Sequence, residues 1–323
     1  MCKVIGIDVS KATLDVAFVC DGSKWSSLQV SNDTKGFIAI AKYAGPDGTV
    51  VMEASGPYYL RLAMYLHAKG TRVCVENPLS IRRYSQMLLQ RAKTDRKDAR
   101  TIAEYGMVHT PEAWEPASDS SMQIRQAYSA LELLQKQEHQ TSRQLEAFES
   151  SGILNPPLRK AMTGMLKDIE KRKVVIEKMI DNLAETAYGE ILKRLMSIPG
   201  IGRKTAVYLA ALTDGFNRFE DYKQLTAYVG LSPRVFQSGT SVRGKGHICK
   251  MGSPQMRKLL YLCSWTAKSC NTSCAAMYQR LKAKGKPEKV IKVAIANKLL
   301  KQAFAIATGQ NEYQKNFSHS PCF

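Results

Sequence analysis

Val4-Ile5-Gly6-Ile7-Asp8-Val9-Ser10 is an apolar run interrupted by one carboxylate. A run of this length reads as a buried strand. A carboxylate at the end of such a strand is costly unless something pairs with it. The same pattern returns in Val50-Val51-Met52-Glu53-Ala54-Ser55-Gly56. Two more acids, Asp95 and Asp98, stand in Lys93-Thr94-Asp95-Arg96-Lys97-Asp98-Ala99-Arg100. Asp-x-x-Asp at the opening of a helix puts both carboxylates on one face. Four oxygen-donor acids converging on one point are what a pair of Mg²⁺ ions requires. Asp8, Glu53, Asp95 and Asp98 are therefore the candidate metal ligands. The plainer reading is that Asp95 and Asp98 cap a helix N-terminus and Glu53 is a satisfied core acid. The arrival of all four acids where one fold order expects them favours the metal.

That fold order follows from the elements around them. Residues 3–9, 13–20 and 25–31 are expected as successive strands, with Cys20-Asp21-Gly22-Ser23 turning the second into the third. A helix is expected over about 34–44, a strand over Thr49–Ala54, and a helix over about 57–69 closed by Gly70. A fifth strand, Arg72–Glu76, stops at Asn77-Pro78. Three strands followed by alternating helix and strand is the order of an α/β RNase H-like sheet. In that fold the acids gather on adjacent strand ends and on a late helix. The basic Lys93, Arg96, Lys97 and Arg100 suit a site that holds a phosphate backbone beside metals.

The whole chain has 323 residues, 44% hydrophobic and 23% charged, which is ordinary for a globular protein of more than one domain. Its formal net charge of +19 is not ordinary and points to a polyanionic partner, nucleic acid before a membrane surface. No apolar run approaches a membrane span, and the direct start on a strand argues against a secretory signal. Eight cysteines without a C-x-x-C pair argue for a reducing cytosol rather than a disulfide scaffold.

Over residues 121–188 the leucines and isoleucines Leu131, Leu133, Leu134, Leu145, Leu166, Ile169 and Ile176 sit among Gln, Glu, Lys and Arg. Two long amphipathic helices broken near Gly152–Pro157 are expected, as a hairpin or coiled coil that could pair between subunits or act as a spacer. The remainder is expected to be mostly helical, closing with helices over 253–270, 273–283 and 287–308. The domains are thus read as 1–115, an α/β domain with the acids; 116–188, a helical segment; 189–310, a mostly α domain; and 311–323, a polar tail.

Three features of that last domain carry chemistry. Ser197-Ile198-Pro199-Gly200-Ile201-Gly202-Arg203-Lys204-Thr205-Ala206 resembles a helix-hairpin-helix element. Gly200 and Gly202 would let the loop approach a phosphate, and the next helix N-terminus offers free N–H groups beside Arg203 and Lys204. Gln237-Ser238-Gly239-Thr240-Ser241-Val242-Arg243-Gly244-Lys245-Gly246-His247 is rich in hydroxyls, glycines and cations. A serine among Arg243 and Lys245 could attack a phosphodiester, although the composition is also that of a plain loop. Cys263, Cys270 and Cys274, with His247 and Cys249, match no common zinc spacing and read as buried small residues.

With these elements in this order, the chain resembles the DEDD-type transposases of bacterial insertion sequences, relatives of the Piv pilin-gene invertases, over nearly its whole length. The resemblance rests jointly on Gly6–Lys11, Glu53–Gly56, Lys93–Arg100, Ile198–Gly202 and Gln237–Gly244. It implies a RuvC-like N-terminal domain whose Asp8, Glu53, Asp95 and Asp98 hold Mg²⁺, and a C-terminal domain with a nucleophilic serine. The family pattern puts that serine at Ser238, with Ser241 as the second choice. It implies donor and target DNA as partners in the bacterial cytoplasm, and a homo-oligomer, dimer or tetramer, in which acids of one subunit complete the serine site of another. Some members are guided by a structured non-coding RNA. The function expected is DNA cleavage and strand exchange, as transposition or as inversion. A hydrolytic RuvC-like junction resolvase would use the same acids without Ser238.

Overall fold

The computed structural model describes residues 4–20, 24–89, 94–234, 237–238, 242–243, 247–309 and 311–315, and of Cys20, Gln237, Ser238, Val242 and Arg243 the backbone alone. The chain divides into two compact units, Met1–Pro116 and Ala117–Phe323.

The first unit is an α/β RNase H-like domain. Strands β1 (Val4–Val9), β2 (Thr13–Cys20) and β3 (Lys24–Ser31) form an antiparallel meander, and β4 (Thr49–Glu53) and β5 (Arg72–Glu76) add in parallel beside β1. The sheet order is β3-β2-β1-β4-β5. Helices α1 (Thr34–Ala44), α2 (Leu60–Ala68), α3 (Pro78–Met87) and α4 (Asp95–His109) complete the unit. Both sheet faces are covered, and strand alternation decides what each face carries. Ile5, Ile7 and Val9 of β1 join Leu14, Val16, Phe18, Val50, Met52 and Val73 under α1 and α2, in one buried cluster with Phe37, Ile40, Leu62 and Leu66. The opposite face holds Val4, Val51 and Cys74 with Ile81 of α3 and Ile102 of α4. That second face is the one on which Gly6 and Asp8 also lie.

Helix α4 rests directly on β1. A Cβ built on Gly6 would collide with the carbonyl oxygen of Ala99 and the backbone nitrogen of Ala103. Further along, a Cβ on Gly106 would lie 2.6 Å from Val51 and 3.0 Å from Val4. The spacing of Ala99, Ala103 and Gly106 makes one side of α4 thin enough for this seat. Thr94 caps the helix, its hydroxyl accepting from the Lys97 amide at 3.4 Å. Asn77 caps α3 in the same way, with Pro78 at the first helical position. The sequence reading stopped β5 at Asn77-Pro78 but did not anticipate the helix those two residues start.

The second unit opens with α5 (Asp119–Ser150) and α6 (Pro156–Met196). They run antiparallel: Arg159 meets Glu149 at 3.3 Å, Lys173 meets Glu138 at 2.9 Å, and Tyr188 meets Ser121 at 2.6 Å. At the open end of the hairpin, Asp214 accepts hydrogen bonds from Ser118 Oγ at 2.5 Å, Ser121 Oγ at 2.7 Å and Tyr188 Oη at 2.9 Å. Burial raises the Asp214 carboxyl, and these bonds outweigh it and hold the group below its ordinary range. The rest of the unit is helical: α7 (Arg203–Thr213), α8 (Tyr222–Val229), α9 (Pro254–Cys270), α10 (Thr272–Ala283) and α11 (Glu288–Thr308). Leu209, Leu260, Ala267, Ile295, Leu299 and Leu300 are among its fully buried residues. Among the described residues between α8 and α9 are four two-residue strands: β6 (Pro233–Arg234) pairs with β9 (His247–Ile248), and β7 (Gln237–Ser238) with β8 (Val242–Arg243).

The seat of α4 gives a stability test. Gly6→Ala should destabilise the protein by about 1–3 kcal/mol, because the added methyl meets backbone that cannot yield without moving α4. Gly164→Ala, in α6 with open space around it, should instead be neutral or stabilise by roughly 0.5–1 kcal/mol. Chemical denaturation of both variants measures this; a Gly6→Ala protein as stable as the parent would contradict the contact.

Candidate metal centre

Register brings the acids together. Asp8 lies directly opposite Asp15 across β1 and β2. In the parallel pairing Ile7 sits beside Met52, so the next step places Asp8 beside Glu53. Glu53 in turn pairs with Glu76, and Asp15 with Gln29. All share the face on which α4 lies, so one polar row crosses the sheet in the order Gln29, Asp15, Asp8, Glu53, Glu76. Helix α4 then brings its first turn above the middle of that row. Ala99 sits on Gly6, two residues before Asp8, and Asp98 and Asp95 precede Ala99 on the helix.

The electrostatics agree with this placement. The Asp8 carboxyl is pushed up to about 6, first by burial and then by the negative charges of Asp98, Glu53, Asp95 and Asp15. Ser55 Oγ donates to Glu53 Oε1, and Tyr105 Oη donates to Glu76 at 3.4 Å. Asp95 is exposed, while Asp8, Glu53 and Asp98 are half-buried. Among the described residues no three His, Cys, Asp or Glu side chains close on a common point as placed. The row is an acidic patch spread over neighbouring strands. Its donors are all oxygens, the set a hard divalent cation prefers. The raised Asp8 carboxyl marks negative charge that such a cation would relieve.

The other residues singled out in the sequence fall into three groups. Arg96 and Lys97 are exposed on the first turn of α4. Arg100 is spoken for locally: its Nε donates to Glu104 at 2.8 Å and its guanidinium lies 4.7 Å from the Trp25 ring centre. Arg203 is similarly engaged, at 2.7 Å from Asp181 and 3.1 Å from Glu185, leaving exposed Lys204 as the freer cation of that turn. The turn joins α6 to α7. Gly200 has φ of 102°, and a Cβ there would lie 2.6 Å from Ala267 Cβ, so this glycine serves close packing on α9. Gly202, the N-cap of α7, has open space instead. Ser238 pairs with Val242 in the β7–β8 hairpin and Gln237 with Arg243. Lys93, Ser241 and Lys245 lie outside the described residues. Asp15 and Glu76 were missed by sequence reasoning; only the pairing register reveals them as members of the row.

The sign of the Asp8 shift yields a test on metal-free protein. A raised carboxyl favours folding while protonated; that stabilisation is present below the ordinary carboxylate range and is lost as pH rises through about 6. Asp8→Asn should therefore raise the melting temperature in EDTA at about pH 8 and give no gain near about pH 4. Scanning calorimetry at both values checks it; an equal effect at both would remove the electrostatic cause.

The model of the transposase IS116/IS110/IS902 family matches residues 192–279, and a DEDD transposase model matches residues 5–148, the span that carries all four acids. The chain is 28% identical over 322 residues to the pilin gene-inverting protein of Moraxella lacunata, covering 96% of this chain and 97% of that protein. The pilin gene-inverting protein of Moraxella bovis is also 28% identical, over 323 residues and the same shares of each chain. The transposase for insertion sequence element IS1111A of Coxiella burnetii is 26% identical over 287 residues, 80% of this chain and 76% of the relative. No helix among the described residues is long and apolar enough to cross a membrane. Membership of a DEDD family implies DNA binding and use of a divalent metal. Matched in both halves and related over nearly its full length to a gene-inverting protein, the chain belongs to the IS116/IS110/IS902 family of transposases, enzymes that cleave and transfer DNA strands.

Proposed function

We propose that Asp8, Glu53, Asp95 and Asp98 hold two Mg²⁺ ions against a DNA phosphate, and that Ser238 is the nucleophile that attacks it. The observation that carries the metal half of this reading is the seat of α4 on Gly6, with the raised Asp8 carboxyl beneath its first turn. The ions would stabilise charge on the phosphate and lower the cost of ionising an attacking oxygen. A serine hydroxyl is a weak nucleophile on its own, and Ser238 has no neighbouring His–Asp pair in the sequence. Its activation is therefore assigned to the acids, of the same chain or of a partner.

The step balances as a transesterification. Ser238 Oγ bonds to phosphorus as the bond from phosphorus to the departing deoxyribose oxygen breaks, and the proton given up by the serine is balanced by one taken up by that oxygen, which leaves as a hydroxyl. The phosphodiester energy is kept in the phosphoserine, so the strand can be passed to a new partner without ATP. Arg243 and Lys245 suit the same phosphate as charge-assisted donors. Lys93, Arg96, Lys97, Arg100, Gly202, Arg203 and Lys204 supply backbone-directed binding, with Arg100 and Arg203 also tied to local acids and Gly200 serving the packing of the turn on α9. A net charge of +19 suits DNA together with a structured guide RNA. Exposed Leu133, Met165, Val175 and Met179 on the long hairpin support pairing between copies.

The test is a trapped reaction on donor and target DNA, run with and without RNA transcribed from the DNA flanking the gene. The parent should form a protein–DNA adduct whose linked peptide carries Ser238, and strand exchange should need the RNA. Ser238→Ala should abolish both cleavage and adduct, and Asp95→Asn or Asp98→Asn should fail at the same step while still binding nucleic acid. If the acids and the serine of one site come from different subunits, mixing Ser238→Ala and Asp8→Ala chains should restore part of the activity. Attachment at Ser241 would move the nucleophile, and cleavage without any adduct would make the enzyme a hydrolytic resolvase.

A further inference from the structure

Asp15 breaks two local rules at once. It is 5% exposed, and it stands directly opposite another carboxylate, Asp8, in an antiparallel pair. Like charges at that position destabilise a sheet, and a buried carboxylate is costly without a cation. Among the described residues no Lys or Arg pairs with it. Its partner is Gln29, the next residue in the row, whose Nε2 donates to both carboxylate oxygens at 3.2 and 3.0 Å. A neutral amide fixes the carboxylate in place but leaves its charge uncompensated. An asparagine or an apolar residue would fit the strand at less cost, and such local conflicts gather at functional sites.

We propose that Asp15 is a positioning residue of the metal centre: a fixed outer charge, locked by Gln29, that draws divalent cations to Asp8 without ligating them. This rests on the metal reading above. Gln29 holds both oxygens, so the carboxylate is turned to the amide rather than to an ion. Its charge nonetheless acts on Asp8 across one strand spacing, through protein rather than water, where attraction for a cation is strong. Glu76, at the other end of the row, is less suited to the role because it is half-buried and faces the Tyr105 hydroxyl.

The test is Mn²⁺ binding to the full chain without DNA, followed by electron paramagnetic resonance, alongside DNA cleavage as a function of Mg²⁺ concentration. Asp15→Asn should weaken Mn²⁺ binding by about 10- to 100-fold, the usual loss when an outer-shell partner is removed. Its cleavage should recover when Mg²⁺ is raised in proportion, which a damaged fold would not do. Gln29→Leu, which keeps the charge, should bind Mn²⁺ within about threefold of the parent. Should Asp15→Asn fail to fold, Asp15→Leu combined with Gln29→Leu removes charge and partner together and carries the same expectation as Asp15→Asn. Asp8→Asn is the control: if it leaves Mn²⁺ binding intact, the metal reading fails. If Asp8→Asn weakens binding and the Asp15 variants do not, or if Gln29→Leu weakens it as much as Asp15→Asn, the role of Asp15 is overturned.

Discussion

The contact on which the rest of the N-terminal unit depends is that of α4 with the bare backbone of Gly6. A helix normally stands off a sheet by the length of the side chains between them. Here Gly6 contributes none, and Ala99, Ala103 and Gly106 contribute almost none. The helix drops onto β1, and its acidic first turn comes to bear on Asp8. Sequence separation between Asp8 and Asp98 is thereby converted into electrostatic coupling, which adds to burial in raising the carboxyl of Asp8. The opposite face of the sheet, with Ile5, Ile7, Val50 and Met52 under α1 and α2, provides the apolar burial that anchors the strands.

That arrangement opposes stability. Four carboxylates, Asp15, Asp8, Glu53 and Glu76, stand on neighbouring strands and two more above them, and their repulsion without a cation is a cost the hydrophobic face must offset. The fold tolerates it because the offending residues share one face, leaving the core on the other face free of charge. A divalent cation placed among these acids would reverse the sign of the same interactions. The C-terminal unit deals with its buried acid differently: Asp214 is satisfied by two serines and a tyrosine and serves as a structural knot between α5, α6 and α7.

Much of this was legible in the sequence because the relevant signals are local. The apolar run Val4–Val9 marked β1, and Asp-x-x-Asp marked the opening of α4. Pro254 and Glu288 likewise open helices close to where apolar periodicity placed them. What was not legible depends on partners distant in the chain. The row from Gln29 to Glu76 exists only once five strands are in register. Arg203 reads as a free cation until α6 presents Asp181 and Glu185 to it. Gly200 reads as a phosphate-contacting glycine until α9 is seen to need its space. Helix α3 was hidden by weak apolar patterning behind a proline that reads equally well as a stop or as a first helical residue.

The central claim is that the acids under α4 act through a metal on the DNA phosphate. Sulfur substitution at the scissile phosphate tests it most directly. Mg²⁺ binds sulfur poorly, whereas Mn²⁺, a softer ion, accepts it better. Replacing one non-bridging oxygen should sharply slow cleavage in Mg²⁺ and leave it largely restored in Mn²⁺, in the parent protein. An equal loss in both metals, or none in either, would mean that no ion held by these acids touches the phosphate.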